Sequence, residues 1–164
     1  MANRVFVIAD THFGHKNVIE FEKEFRPFQT IEEHDDELVY RWNNTVNKND
    51  TIWHLGDVLF GRDAFETLRR LKGVKKLVMG NHDHYPIELY LEHFNSVHSS
   101  VKLRNALFTH IPIHPNQLLR FRANIHGHMH SKELNSPNYA CVSVEHTNLA
   151  PVLIDKVMQR FPNE

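Results

Sequence analysis

Lys75-Lys76-Leu77-Val78-Met79-Gly80-Asn81-His82-Asp83 is the stretch on which the reading of this chain turns. Leu77, Val78 and Met79 read as a short buried strand, and Gly80 then lets the backbone turn. Three polar side chains follow in a row. Asn81 offers a neutral carbonyl oxygen, His82 can exchange a proton near neutral pH, and Asp83 either orients His82 or supports the loop. Taken alone, this is an ordinary polar turn. It gains weight because an apolar strand ending in metal-type residues recurs five times, at Asp10, Asp57, Asn81, His110 and His128.

Working outward, residues 4–9 form an apolar run rich in β-branched side chains, which predicts a strand buried on both faces. It ends in Asp10-Thr11-His12-Phe13-Gly14-His15. Thr30 and Glu33 make a capping box, and the helix it opens carries Ile31, Leu38, Trp42 and Val46 on one stripe. A second strand over 51–55 closes in Gly56-Asp57, and Asp63 is the expected cap of a further helix. Strands are also predicted over 99–103, 105–109, 123–126, 139–144 and 152–154, with a short helix over 155–161. Strands alternating with capped helices, then mostly strands, point to an α/β fold. In such sheets the functional crevice lies beyond the carboxyl ends of the strands.

The 164 residues suit one domain spanning 1–164. A formal net charge of −1 gives no support for broad binding to nucleic acid or membrane. The single cysteine, Cys141, lies in an apolar run and is expected to be an inert core thiol. No stretch reads as a signal peptide or a membrane span, so a reducing cytoplasm is the expected setting. The unusual count is 14 histidines, and their positions give it meaning.

Asp10, His12, Asp57, Asn81, His110, His128 and His130 together offer carboxylates, an amide and imidazoles without a thiolate. That donor set suits two borderline divalent ions: manganese, or alternatively iron, nickel, cobalt or zinc. It suits a calcium cage poorly. Seven ligands exceed the needs of one four-coordinate zinc. Two divalent ions ~4 Å apart repel by roughly 16 kcal/mol at an effective dielectric near ~20, so an anion must lie between them. Asp57 is the best candidate bridge. Asp10 and His12, two apart on an extended segment, could hold one ion, and His128 and His130 could divide between the two. The surplus positive charge suits a hydroxide nucleophile and an anionic phosphate, the chemistry of phosphoester hydrolysis. His82 is then the candidate general acid for the leaving oxygen. His15, His114 and Arg26 are candidates to line the substrate pocket. His54 and His126, inside strands, are expected to be core histidines.

With those residues in view, the chain resembles the calcineurin-like metallophosphoesterases. Five blocks appear in order: Asp10-x-His12, Gly56-Asp57, Gly80-Asn81-His82-Asp83, His110 and Gly127-His128-x-His130. The resemblance implies a four-layer αββα sandwich of two mixed sheets flanked by helices. It implies that Asp10, His12, Asp57 and His130 hold one metal, and Asp57, Asn81, His110 and His128 the other. It also assigns the third-block histidine to His82. The start at Asp10 to His15 and the Thr109 to His114 loop look like the small stand-alone phosphoesterases of bacteria and phages.

Some features depart from the larger relatives. Val58-Leu59-Phe60 follows Asp57 and Met79 precedes Gly80, where protein phosphatases of the family carry arginine, so a phosphoprotein substrate is not expected. The expected activity is hydrolysis of small phosphodiesters or phosphomonoesters such as nucleotides, by in-line attack of metal-bound hydroxide. The alternatives are a protein-interaction scaffold, as in the retromer subunit of this fold, and a small nuclease on short or single-stranded nucleic acid.

Overall fold

The strand expected over 4–9 forms as β1 (Val5–Ile8). The computed structural model describes residues 3–161. β1 pairs in parallel with β2 (Thr51–His54), β2 with β3 (Val74–Val78), and β3 with β4 (Ser96–His98). β9 (Val152–Leu153) closes the other edge, antiparallel to β1. The second sheet runs β5 (Val101–Leu103), β6 (Ala106–Phe108), β7 (Asn124–His126) and β8 (Tyr139–Cys141). Its first pair is antiparallel and the other two are parallel. The fold is therefore α/β, with two mixed sheets and flanking helices.

Alternation along β1 assigns the layers, because successive strand residues face opposite sides. Phe6 and Ile8 join Ile52 and Leu77 in a core shared with α2 (Ile31–Thr45), α3 (Phe65–Arg69) and α4 (Ile87–Leu91). Val7 and Ala9 face the other way. They pack with Phe108, Ile125 and Ala140 of the second sheet and with Ile154, Val157 and Met158 of α5 (Ile154–Met158). The 111–122 loop, whose helical part is one 3-10 turn at Pro115–Gln117, is tied to the second sheet. Asn124 and Tyr139 anchor that loop: the Ile113 N–H donates to Asn124 Oδ1, and Tyr139 Oη donates to the Ile113 carbonyl.

The Thr30 capping box forms as expected, and Ile31, Leu38, Trp42 and Val46 are all buried. The Asp63 cap does not form. Gly61, at φ 85°, starts a 3-10 turn over Arg62–Ala64, and α3 grows directly from it without a side-chain cap. No described helix is long and apolar enough to cross a membrane.

The two sheets are joined next to the candidate site. The Ala9 N–H donates to the Val142 carbonyl at 3.0 Å, and the Val144 N–H to the Ala9 carbonyl at 3.1 Å. At the opposite end of β1, Asp50 accepts from the Arg4 amide at 3.2 Å, from the Arg4 guanidinium, and from the Asn47 amide at 2.7 Å. The Arg4 hydrogen bond holds its carboxyl below the usual carboxylate range. Such a group stabilises the fold above its unfolded pKa and loses that contribution as pH falls through its folded pKa. Asp50→Ala is expected to cost about 2 kcal/mol near pH 7. The gap from wild type should narrow as pH falls through the depressed Asp50 pKa, as read by urea denaturation.

Candidate metal centre

Every candidate ligand follows the carboxyl end of a strand. Asp10 and His12 follow β1, Asp57 follows β2 and Asn81 follows β3, while His110 follows β6 and His128 and His130 follow β7. Parallel registers such as Ile8 with His54 and His54 with Leu77 bring the ends of one sheet to the same level. Glycines let them approach closely. A Cβ on Gly127 would stand 2.5 Å from Asp10 Oδ2, and one on Gly56 would stand 2.9 Å from His110 Nδ1.

The backbone itself marks the site. Nine non-glycine residues among those described have positive φ, and five of them are candidate ligands. These are Asp10 at 59°, His12 at 50°, Asp57 at 54°, His128 at 67° and His130 at 50°. Each left-handed non-glycine residue costs roughly 1–2 kcal/mol. Such strain persists where the surroundings over-determine it, and it clusters at functional sites. Asp10 and His12 do reach one centre, but through left-handed turns and not through the extended pleat expected from their spacing.

Two trios result. Asp10, His12 and His130 form one, and Asp57, His110 and His128 the other; within each, the possible ligand atoms lie within 4.8 Å of one another. Asp57 faces both. Its Oδ2 stands 3.3 Å from His110 Nε2 and 3.8 Å from His12 Nε2. His110 Nε2 is also 2.9 Å from Asn81 Oδ1. Adjacent ligands of an ion bound at about 2.1 Å stand roughly 3 Å apart in an octahedral shell, so the Asp57–His110–Asn81 group already has ligand spacing. The first group is slightly wider, with His12 Nε2 3.9 Å from Asp10 Oδ1.

Titration follows from burial and neighbours. Burial pushes the Asp10 carboxyl up to about 6, against the pull of His110 and His130. Burial above all, with the charges of Arg26 and His130 adding to it, holds His12 well below the ordinary imidazole value, so its nitrogens keep their lone pairs for a ligand role. Burial opposes charging of His110, but the Asp57 hydrogen bond and the Asp10 charge outweigh it and raise its pKa. For Asp57, His110 outweighs burial and lowers it. Both ring nitrogens of buried His12 lack a hydrogen-bond partner among the described residues. Unpaired polar atoms of this kind are rare in folded proteins. A divalent cation would satisfy His12 and relieve the buried Asp10, so the residues present fit such an ion.

A polar frame fixes these side chains. Asp10 Oδ2 accepts from Ser143 Oγ at 2.6 Å and from the His128 amide at 2.9 Å. His110 Nδ1–H donates to the Leu55 carbonyl at 2.7 Å, which aims Nε2 inward. Glu145 Oε1 lies 3.1 Å from His130 Nδ1 and 2.6 Å from the Arg26 guanidinium. Burial would raise the Glu145 carboxyl, but His130 and Arg26 outweigh it and bring it down to about 2. Arg26 also donates to the carbonyls of Asp10 at 2.6 Å and Thr11 at 3.2 Å, and to His34 Nε2 at 3.0 Å. His34 pairs with Asp35, which accepts from the Gly14 amide, so the frame reaches α2.

Arg26 therefore corrects the expectation that it lines a substrate pocket. It is fully buried, and its guanidinium is spent on the backbone carrying Asp10 and on Glu145. His114 lies in the loop after β6. It is exposed and caps the 3-10 turn by accepting the Asn116 amide. His15 stays beside the site, with its ring 5.4 Å from that of His12. His82 is exposed; its amide donates to Asp57 Oδ1 at 2.9 Å and its ring lies 6.1 Å from that of His12. Asp83 supports the loop. Its carboxylate accepts from the amides of Asp57, Val58 and Gly80 at 2.9, 3.0 and 2.7 Å. His54 and His126 are buried in strands as expected, and Cys141 is buried with its thiol pushed up to about 11. Sequence reasoning missed Glu145, although it ends the 139–144 run and the strand-end pattern applied there would have found it.

No protein-family model matches the chain. The uncharacterised protein MJ1445 of Methanocaldococcus jannaschii is 29% identical over 167 residues, covering 95% of this chain and 90% of that protein. The Gene 66 protein of Mycobacterium phage L5 is 31% identical over 133 residues, which span 73% of this chain and 62% of its own length. Protein AQ665 of Aquifex aeolicus, a solved structure of unknown function, superposes with a TM-score of 0.79 at 22% identity. That match covers 96% of this chain and 99% of the other, and it shows a shared fold.

Asp83→Ala leaves two buried amides and one partly buried amide without their acceptor. At about 1 kcal/mol or more for each, the expected loss is about 3 kcal/mol in urea denaturation. A loss under ~0.5 kcal/mol would remove Asp83 from the support of this loop.

Proposed function

We propose that this protein hydrolyses small phosphoesters, either monoesters or diesters such as nucleotides, with two divalent metal ions. Asp10, His12, Asp57 and His130 would hold one ion, and Asp57, Asn81, His110 and His128 the other. The reading rests above all on Asp57, whose single carboxylate faces both histidine groups at 3.3 and 3.8 Å. The ordered motif blocks shared with calcineurin-like metallophosphoesterases support it. When bound, such ions supply a nucleophile at neutral pH and positive charge for the phosphoryl oxygens.

The chain's own groups do the rest. Asp57 places an anion between two cations that would otherwise repel. The His82 amide is tied to Asp57 Oδ1, which fixes the start of that side chain against the shared carboxylate. Its imidazole, on the solvent side, protonates the leaving oxygen or stabilises the charge developing there. The Glu145–His130 and Leu55–His110 hydrogen bonds hold two imidazoles in their ligand orientation. A cavity of about 400 Å³ opens along Gly80, Asn81, Thr109 and His110, which leaves a route to the second group.

Hydrolysis of bis-p-nitrophenyl phosphate with added manganese is the first test; a folded, metal-loaded and inert protein would contradict the reading. His82→Ala is expected to keep its metal and to lose about 10²–10⁴-fold in turnover. The loss should be greater on monoesters than on activated aryl diesters. Unchanged turnover on every ester would remove His82 from the mechanism. Asp57→Asn is expected to lose metal from both positions, and two ions still present by elemental analysis would refute the shared carboxylate.

A further inference from the structure

A line of aromatic rings runs outward from the candidate centre. The His12 ring is 5.4 Å from those of His15 and Phe60. His15 stacks on Phe60 at 4.0 Å with only 14° between planes. Phe21 meets the outer edge of His15 at 6.2 Å, and on the other side Phe60 meets His82 at 5.1 Å. Four chain segments contribute, so no single helix or strand imposes the arrangement.

Phe21 is the unusual member. It ends the short α1 (Val18–Phe21), whose Val18 and Ile19 are buried, yet it is 73% exposed itself. A single exposed apolar residue is ordinary on its own. Leu119, 89% exposed and with no ring contact, is of that kind. Phe21 differs because its ring continues the line that begins at a candidate ligand. It contributes little to the core, and it reaches the candidate centre only through His15, whose own ring is 5.4 Å from that of His12.

We infer that Phe21, with His15 and Phe60 behind it, forms a subsite for the nucleobase of a nucleoside phosphoester. This inference rests on the phosphoesterase reading above. With the phosphate beside His12, Phe21 lies two ring spacings out, which leaves a pentose to bridge phosphate and base. An aromatic face binds the π-face of any base, and such stacking contributes roughly 1–3 kcal/mol per base. The subsite therefore prefers nucleoside esters over aliphatic ones while discriminating little between bases. Phe21 is the determinant of that preference.

The test compares binding of adenosine 5′-monophosphate, glycerol 2-phosphate and phenyl phosphate to manganese-loaded wild type and Phe21→Ala, by calorimetry. Wild type should prefer the nucleotide over glycerol phosphate. In Phe21→Ala that preference should fall roughly 5- to 150-fold, the affinity equivalent of one stacked base. Phenyl phosphate, which lacks the pentose spacer, should show no such fall. A wild-type preference under ~2-fold, or a preference unchanged in Phe21→Ala, overturns the subsite, since the stacking term expected is larger than that. A fall for phenyl phosphate as large as that for the nucleotide overturns the nucleobase assignment. Turnover on the same three esters separates the two readings. Selective nucleotide binding without hydrolysis of any ester would refute the phosphoesterase and leave the subsite; hydrolysis without nucleotide selectivity would do the reverse.

Discussion

Asp57 stands between two histidine groups, and much of the architecture makes that position tenable. A buried carboxylate facing imidazoles on both sides needs positive charge nearby. Its own left-handed backbone, at φ 54°, turns the side chain into the gap. Gly80 lies so close that a Cβ there would collide with the Asp57 carboxylate. The Asp57 amide is held by Asp83, and its Oδ1 receives the His82 amide. Parallel pairing of β1, β2 and β3 brings Asp10 and Asn81 to the same end, and the Ala9–Val142–Val144 bonds bring the second sheet alongside.

The strain at five candidate-ligand positions has a visible counterweight. Arg26 binds the carbonyls of Asp10 and Thr11, which adjoin the left-handed residues Asp10 and His12. It is balanced by Glu145, and Glu145 orients His130. A buried ion pair adds little stability by itself, because desolvation offsets the attraction. Its role here is positional: one guanidinium ties the end of β1, the His130 side chain and, through His34 and Asp35, the start of α2 into one unit. Thr11 adds a further link, donating to the Val58 carbonyl at 2.8 Å and bonding His54 at 2.9 Å.

The strands that lead to candidate ligands were legible because each is a compact apolar run with an abrupt polar end. The Thr30 box and the Leu38–Trp42 stripe were legible because caps and helical spacing are local signals. What escaped is non-local. β4 has only Val97 as an apolar residue and owes its strand to pairing with β3. Arg26 read as a candidate for the substrate pocket, since nothing near it in sequence shows that Glu145, 119 positions away, neutralises it. Asp83 could have served His82 or the loop, and only the folded chain brings the Asp57 and Val58 amides to it. The attachment of the 111–122 loop to the second sheet was equally hidden, because Asn124 and Tyr139 anchor it from distant strands.

The central claim is that Asp57 is shared by two metal ions. Anomalous scattering from crystals grown with manganese tests it most directly. The account predicts two peaks about 3.5–4 Å apart, the usual separation in two-metal sites. One should lie beside Asp10, His12 and His130, the other beside Asn81, His110 and His128, with the Asp57 carboxylate touching both. A single peak, or two peaks with Asp57 bound to only one of them, would contradict it.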